Sequence, residues 1–163
     1  MTTSASSAAP SRAVEPLSAQ SDAVSEYHAV RTRDGDRLAT DVYLPSGVKR
    51  APAVLIRTPY DKGSLALSMA ITFILRAASQ GYAVVVQDVR GRFASEGEFF
   101  AFIHERQDGH DTLDWLAAQP WCDGNIGMFG GSYVGLTQWQ AAFDGHPALK
   151  AIAPNITASD YHN

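Results

Sequence analysis

Ser132 lies between glycines in the segment GMFGGSYVGLTQWQAA, residues 127–142. A short apolar run precedes the serine, and a stretch typical of a helix follows it. A serine in a sharp turn between a strand and a helix can expose its hydroxyl oxygen as a nucleophile, provided that small neighbours let the strand and helix pack closely. Serine is also a favoured helix N-cap and glycine is common in tight turns, so the local pattern alone equally allows a structural role.

The glycines around Ser132 follow the common G-x-S-x-G pattern only in part. Gly130 supplies the small residue two positions before the serine, whereas Val134 stands two positions after it and Gly135 comes one position later. A glycine-rich turn before a helix can also bind a phosphate group. The sequence contains neither G-x-x-x-x-G-K-[ST] nor G-x-G-x-x-G, so nothing else in it favours a nucleotide.

A serine nucleophile needs two hydrogen-bond donors for the oxyanion that forms when it attacks a carbonyl group. One donor in such turns is the main-chain N–H of the next residue, which is Tyr133 here. The other comes from the loop after an earlier strand. The segment RTPYDK occupies that place and contains Tyr60, whose phenol can donate, although a tyrosine at a strand end can equally be a packing residue.

The same nucleophile needs a histidine base and usually an acid, which follow the serine in the chain order Ser, Asp, His. Asp144 and His146 come after the predicted helix, which at 1.5 Å per residue puts them about 18 Å from the serine, at the opposite end of the sheet. That pair is therefore excluded. Asp160 and His162 follow a predicted strand, two residues apart on one short loop, and from the residues alone they stay open.

The other histidines and the cysteine give no metal or cofactor site. His28, His104 and His110 precede the serine, and no two of them show metal-ligand spacing on one face. Cys122 is the single cysteine, which excludes an internal disulfide and a multi-cysteine metal site. We therefore predict neither a cofactor nor a metal.

The order of elements predicts the fold. Four short runs are apolar without alternation, as in strands covered on both faces. These runs are 53–58, 82–88, 126–129 and 150–154, with helical stretches at 64–80, about 103–118 and 132–143. An antiparallel hairpin around RDGD comes first. A hairpin followed by β-α-β units predicts an α/β fold, a mostly parallel sheet with helices on both faces.

Composition and charge narrow the function classes. A net charge of −4 gives no electrostatic reason to expect nucleic acid or an anionic membrane as a partner.

Residues 1–22 are rich in Ser and Ala and lack the apolar run of a signal peptide, so we predict a disordered tail before a domain at 23–163. The most apolar segment, 65–75, is too short to span a bilayer. We expect a cytoplasmic protein with a small-molecule or peptide substrate. The sequence does not predict its oligomeric state.

Several motifs occur in an order that resembles a known family. RDGDRLATDVYLP, RTPYDK, VVVQDVRGRFASEGEF, residues 108–142 and LKAIAPN together are similar to the N-terminal part of the α/β-hydrolase domain of the cocaine esterase and X-Pro dipeptidyl-peptidase-like serine hydrolases. The resemblance covers about residues 25–161. In that family the motif is G-x-S-Y-x-G, so the position of Gly135 agrees with the family pattern.

The resemblance implies roles for particular residues. Ser132 is expected to be the nucleophile. Tyr60 is expected to donate its hydroxyl, and Tyr133 its main-chain N–H, to the oxyanion. Asp88 and Arg90, in the DVRGRF segment, are expected to form an ion pair that stabilises the fold.

The resemblance also implies that the chain is a fragment. The family takes its acid and histidine from later strands, and its members continue into a helical cap and a C-terminal β domain. We expect an α/β-hydrolase domain truncated after the strand that follows the Ser132 helix, inactive alone because the triad acid and histidine are not in this chain. The implied function is hydrolysis of esters or amides through an acyl-enzyme on Ser132. The alternative is a non-catalytic binding module or pseudo-enzyme that keeps the fold without a triad.

Overall fold

The computed structural model describes residues 24–67 and 69–158. The predicted tail at 1–22 and the pair Asp160 and His162 therefore lie outside the described residues. Within them the elements are β1 (Val24–Arg31), β2 (Arg37–Leu44), β3 (Ala51–Thr58), α1 (Lys62–Leu67), α2 (Met69–Ser79), β4 (Ala83–Asp88), α3 (Glu105–Ala117), β5 (Cys122–Gly131), α4 (Tyr133–Ala142) and β6 (Leu149–Asn155).

The strands form one mostly parallel sheet in the order β1-β2-β4-β3-β5-β6. The β1–β2 hairpin is antiparallel, with Arg31 opposite Arg37 next to the turn. β2 pairs antiparallel with β4, whereas the β3–β4, β3–β5 and β5–β6 pairs are parallel. The predicted hairpin and the predicted mostly parallel sheet are both confirmed.

Helices cover both faces of this sheet. Because side chains alternate along a strand, Leu55 and Val85 enter one apolar core while Ile56 and Val86 enter another. The first core lies under α3 and α4, and the second lies under α2. None of the described helices is long and apolar enough to cross a membrane.

The observed bounds differ from the predicted ones where pairing continues beyond an apolar run. β5 extends from Cys122 to Gly131, well past the predicted 126–129. Cys122 pairs with Ala51 at one end and Gly131 pairs with Asn155 at the other, so neighbouring strands hold residues that the apolar pattern leaves out. The stretch predicted as one helix at 64–80 overlaps two helices, α1, which begins earlier at Lys62, and α2.

Candidate active site

Two loops at the carboxyl edge of the sheet bring Tyr60 and Ser132 together. β3 ends at Thr58 and β5 ends at Gly131, and since the two strands are parallel neighbours, their carboxyl ends lie side by side. The phenol oxygen of Tyr60 is 3.2 Å from Oγ of Ser132, which is hydrogen-bond distance. Both residues are exposed, so a carbonyl group from solution can reach them.

Ser132 has an unusual backbone conformation at the junction of β5 and α4. Its φ is 56° and its ψ is −127°, a sparsely populated region for a residue with a side chain. The main chain is held on both sides: Ser132 N–H donates to the Asn155 carbonyl at 2.9 Å, and the Ser132 carbonyl accepts from Gly135 and Leu136. The sharp turn that the sequence predicted is therefore present and is fixed by β6 and α4.

The glycines at positions 130 and 135 are required by close contacts. A Cβ on Gly130 would lie 2.3 Å from Cγ1 of Val134, and the φ of Gly130 is 140°. A Cβ on Gly135 would lie 2.5 Å from Cγ2 of Thr157. The position after the serine that has no room for a side chain is therefore the third one, Gly135. This explains why the second position can be a valine, Val134.

Gln138 stabilises the same turn by hydrogen bonds, a role that was not predicted from the sequence. Its amide nitrogen donates to the carbonyls of Gly130 and Val134, both at 3.0 Å, and its amide oxygen accepts from Ala153 N–H at 2.9 Å. The side chain is buried, so it links β5, α4 and β6 where water cannot compete. The stretch VGLTQWQAA also contains a threonine and a second glutamine, so a polar residue among apolar ones was a signal that did not single out Gln138.

The main-chain N–H and the phenol of Tyr133 have different environments. As the first residue of α4, it has a main-chain N–H without an acceptor one turn earlier in the helix, so that N–H can serve a ligand. Its phenol donates to Glu105 Oε1 at 2.9 Å and accepts from Phe102 N–H at 3.0 Å. Burial, together with the Glu105 carboxylate, raises the pKa of Tyr133 well above its ordinary value, so the phenol stays protonated.

Glu105 belongs to a buried ionic network that the sequence analysis also missed. Arg57, which is 0 % exposed, donates from Nη1 to the main-chain carbonyl of Glu105 at 3.0 Å, and Nη1 lies 2.9 Å from Glu105 Oε2. Arg57 Nε donates to Gln87 Oε1 at 2.8 Å. An arginine inside the apolar run AVLIRT was the signal, because a buried charge must be paired.

None of the described histidines is hydrogen-bonded to Ser132. His28 contacts Glu26, His104 precedes α3, and His146 contacts Asp114. Asp144, at the far end of α4, forms an ion pair with Arg106. For the part of the chain that the structure describes, Ser132 therefore has the Tyr60 phenol beside it and no histidine hydrogen-bonded to it.

The side chains of His110, Asp114 and His146 converge away from Ser132. Their potential ligand atoms lie within 4.8 Å of one another. His146 Nδ1 accepts from Ala148 N–H at 3.1 Å, so Nε2 carries the ring proton and donates to Asp114 Oδ1 at 3.0 Å. With both ring nitrogens of His146 engaged, this arrangement favours a hydrogen-bonded cluster over a metal site.

The predicted ion pair between Asp88 and Arg90 is wrong. Asp88 instead accepts from the main-chain N–H groups of Lys62 and Ala94, and its burial raises its pKa. Arg90 pairs with three other carboxylates, those of Asp34, Asp36 and Asp108. Asp88 is the last residue of β4, whereas Arg90 lies in the turn beyond it, and from there its side chain reaches the β1–β2 turn and α3.

Known proteins match this chain over most of its length. Residues 34–163 match the family model described as X-Pro dipeptidyl-peptidase (S15 family). The cocaine esterase of Rhodococcus sp. (strain MB1 Bresler) is 52% identical over 134 residues, which are 82% of this chain and 23% of that protein. A putative serine esterase of Mycobacterium bovis is 35% identical over 154 residues. The chain thus spans less than a quarter of the length of these curated relatives.

Solved structures show the same architecture. An aminopeptidase from a marine sediment Thaumarchaeota archaeon has a TM-score of 0.75 and 30% identity, covering 94% of this chain and 28% of its own. An α-amino acid ester hydrolase has a TM-score of 0.73 and 32% identity, covering 88% of this chain and 26% of its own. The fold is that of part of an α/β-hydrolase domain, and the chain belongs to the X-Pro dipeptidyl-peptidase (S15) family of hydrolases.

Proposed function

We propose that this chain is the nucleophile-bearing part of a serine hydrolase that cleaves esters or amides through an acyl-enzyme on Ser132. The observation that carries the proposal is the distance of 3.2 Å between Tyr60 Oη and Ser132 Oγ. Beside them, α4 begins at Tyr133 with a free main-chain donor position. Acyl transfer requires a serine hydroxyl with hydrogen-bond donors for the oxyanion nearby, and the Tyr60 phenol and the Tyr133 N–H are the groups available for this.

The proposed reaction uses these groups in order. Oγ of Ser132 bonds to the substrate carbonyl carbon while its proton passes to a histidine base. The carbonyl oxygen becomes an oxyanion and accepts hydrogen bonds from the Tyr60 phenol and the Tyr133 N–H. The leaving alcohol or amine departs with the proton, and the acyl group stays on Oγ. Water then attacks the acyl carbon by the same route and frees Ser132.

We further propose that the acid and histidine come from polypeptide outside these 163 residues. Two observations support this. None of the histidines at described positions is hydrogen-bonded to Ser132, and the chain covers only 23% of the related cocaine esterase. We call the polypeptide that carries this chain together with the proposed acid and histidine the whole protein.

One observation favours a second candidate function. The Ser132 hydroxyl lacks a base among the described residues, as expected of a binding module or pseudo-enzyme that keeps the fold without a triad. The two candidates differ in one respect only, which is whether Ser132 becomes acylated.

The test is covalent labelling of Ser132 in the whole protein. We expect a fluorophosphonate to label Ser132, and p-nitrophenyl butyrate hydrolysis to vanish in Ser132→Ala. Ser79→Ala, an exposed serine-to-alanine change on α2, is the matched control and keeps full activity. Absence of labelling in the folded whole protein would support the binding module.

The substrate class is a separate proposal. The relatives include an esterase, an ester hydrolase and an aminopeptidase, and the family model is named for X-Pro dipeptidyl-peptidase. Because the relative of 52% identity is an esterase, we propose esters as the preferred substrates. Comparing kcat/KM for a p-nitrophenyl ester and an Xaa-Pro p-nitroanilide in the whole protein tests this, and a higher value for the anilide would reverse the order.

A further inference from the structure

A buried chain of polar contacts joins the two loops that carry the proposed oxyanion donors. It runs from the Tyr133 phenol to Glu105 Oε1 at 2.9 Å, and from Glu105 Oε2 to Arg57 Nη1, also at 2.9 Å. Arg57 lies in β3, three residues before Tyr60. The two side chains of the ion pair are 4 % and 0 % exposed, so the pair is shielded from solvent.

The main chain of β3 is tied to α4 at the same place. Thr137, one helical turn after Tyr133, has a hydroxyl oxygen 3.3 Å from the Arg57 carbonyl and 2.9 Å from the Val134 carbonyl, and its single proton is shared between these two acceptors. Arg57 is also fixed from the other side by Gln87 of β4 at 2.8 Å. The end of β3 and the start of α4 therefore meet through both a main-chain carbonyl and the buried ion pair.

These contacts fix the orientation of Tyr133. Its phenol donates to Glu105 and accepts from Phe102 N–H at 3.0 Å, so the tip of the side chain is held from two directions. A side chain anchored at its tip restricts rotation of its own main chain. The main-chain N–H of Tyr133 has no acceptor within the helix, and it shares a planar peptide unit with the Ser132 carbonyl, which accepts from Gly135 and Leu136. The anchored phenol therefore acts together with these two hydrogen bonds in setting the direction of the N–H.

Direction matters because an oxyanion donor acts only over a short range. Donors must lie 2.7–3.1 Å from the position that the developing oxyanion takes, and a misplacement of about 1 Å can cost about 100-fold in rate. The Arg57 guanidinium has a second role here, since it neutralises the buried carboxylate that would otherwise oppose a nearby negative charge.

Building on the proposed function, we propose that Glu105 and Arg57 are positioning residues, which hold the Tyr133 phenol so that the Tyr133 N–H faces the oxyanion. They touch neither the substrate nor Ser132. Their contribution is made in the transition state, when charge develops on the carbonyl oxygen, and is small when the neutral substrate binds. Loss of the phenol contact therefore lowers kcat and leaves KM nearly unchanged.

The experiment measures kcat and KM for p-nitrophenyl butyrate in the whole protein. Tyr133→Phe removes the phenol oxygen alone, and we expect kcat to fall about 10-fold or more with little change in KM. Affinity for butaneboronic acid, which adds to a serine Oγ as a tetrahedral anion, falls by a similar factor. Tyr43→Phe is the matched control, because Tyr43 is a partly buried tyrosine in β2 with a raised pKa, and it keeps both values.

A second variant covers the case in which Tyr133→Phe folds poorly. Glu105→Gln keeps an acceptor oxygen for the phenol but loses the negative charge that pairs with Arg57. We therefore expect kcat to fall by a smaller factor than in Tyr133→Phe. In the double variant, which carries both Tyr133→Phe and Glu105→Gln, kcat falls by the same factor as in Tyr133→Phe alone, because both changes act through one hydrogen bond. Thermal unfolding and the amount of fluorophosphonate-labelled Ser132 correct each rate for folded protein.

The outcomes separate this inference from the proposed function. Unchanged kcat in folded Tyr133→Phe overturns the positioning role, as do multiplicative losses in the double variant or an equal loss in Tyr43→Phe. In each of these cases Ser132→Ala remains inactive and the proposed function stands. Full activity of Ser132→Ala overturns the proposed function, and the positioning role with it.

Discussion

At the scale of single residues, Tyr60 differs from the other exposed tyrosines because its phenol oxygen lies 3.2 Å from Ser132 Oγ. We expect Tyr60→Phe to lower kcat/KM of the whole protein by about 10²–10³-fold, since one of two oxyanion donors is lost. Initial rates with p-nitrophenyl butyrate measure this. Tyr82→Phe, an exposed tyrosine just before β4, is the control and leaves the rate nearly unchanged. An unaltered rate in Tyr60→Phe would assign the phenol a packing role.

Asp34 gives a prediction for the effect of acid on stability. Hydrogen bonds from Arg90 and Thr32 hold the pKa of Asp34 well below its ordinary value of 3.8. A carboxyl whose pKa is lowered by folding stabilises the fold above its ordinary pKa, and this contribution is lost progressively as the pH falls from that value through the lowered pKa of the folded state. Asp34→Asn should therefore lower the free energy of unfolding at pH 6 and flatten its decrease between pH 5 and 3.

The measurement is urea unfolding of the whole protein at several pH values. The buried Asp88 acts in the opposite sense, because burial raises its pKa and ionisation then disfavours the fold. Parallel pH curves for Asp34→Asn and the unaltered protein would mean that the Asp34–Arg90 contact does not contribute.

At the scale of elements, the junction of β5 and α4 depends on how closely the helix approaches the strand. We expect Gly130→Ala to destabilise the protein by about 2 kcal/mol or more, since the added Cβ meets Val134 at a φ that disfavours a side chain. Gly127→Ala is the matched control in the same strand, because its Cβ would lie an ordinary 3.7 Å from the carbonyl oxygen of Ala151. Thermal unfolding compares them, and equal losses would refute the argument from close approach.

The same junction shows which element properties follow from local sequence. Apolar runs and turn residues predicted a strand before Ser132 and a helix after it, and both are present. The extra length of β5 could not be predicted, because its ends pair with Ala51 and Asn155 in other strands. Pairing with a neighbour lets a strand include polar and glycine residues that periodicity assigns to loops.

At the scale of the whole molecule, the described part of the sheet leaves apolar surface open. Within residues 24–67 and 69–158, β6 pairs only with β5, and a groove of about 400 Å³ lies between α2 and the β5–β6 face. Phe129, 43 % exposed, and Phe73 stack within this groove, with ring centroids 4.6 Å apart. Unpaired strand edges and exposed apolar patches favour association.

Residues 1–163 expressed alone should therefore bind the dye ANS and self-associate, and should show no Ser132-dependent hydrolysis of p-nitrophenyl butyrate. Dye fluorescence, light scattering and initial rates measure the three properties. Phe129→Lys, which places a charge in the groove, should reduce both dye binding and scattering. A monodisperse fragment that hydrolyses the ester would show that these residues hold a complete site.

The sequence predicted Ser132, Tyr60 and Tyr133 as candidate site residues. The structure places the three residues at one edge of the sheet, and their catalytic roles are a proposal. Their proximity could be predicted because the order of elements along the chain and the turn residues can be recognised locally, and because the carboxyl ends of parallel strands meet at one edge. The sequence also established the family resemblance and the mostly parallel sheet, since the motifs and apolar runs can be recognised without knowing what they contact.

Folding set the partners of the charged and polar residues. Arg90 binds Asp34, Asp36 and Asp108 rather than its near neighbour Asp88, and Arg57 meets Glu105, 48 positions away. Such pairs depend on which side chains are buried together, and a buried charge takes whatever opposite charge lies within reach. For the same reason, the contacts of Gln138 with the turn at Ser132, and of Glu105 with Tyr133, could be identified only in the folded chain.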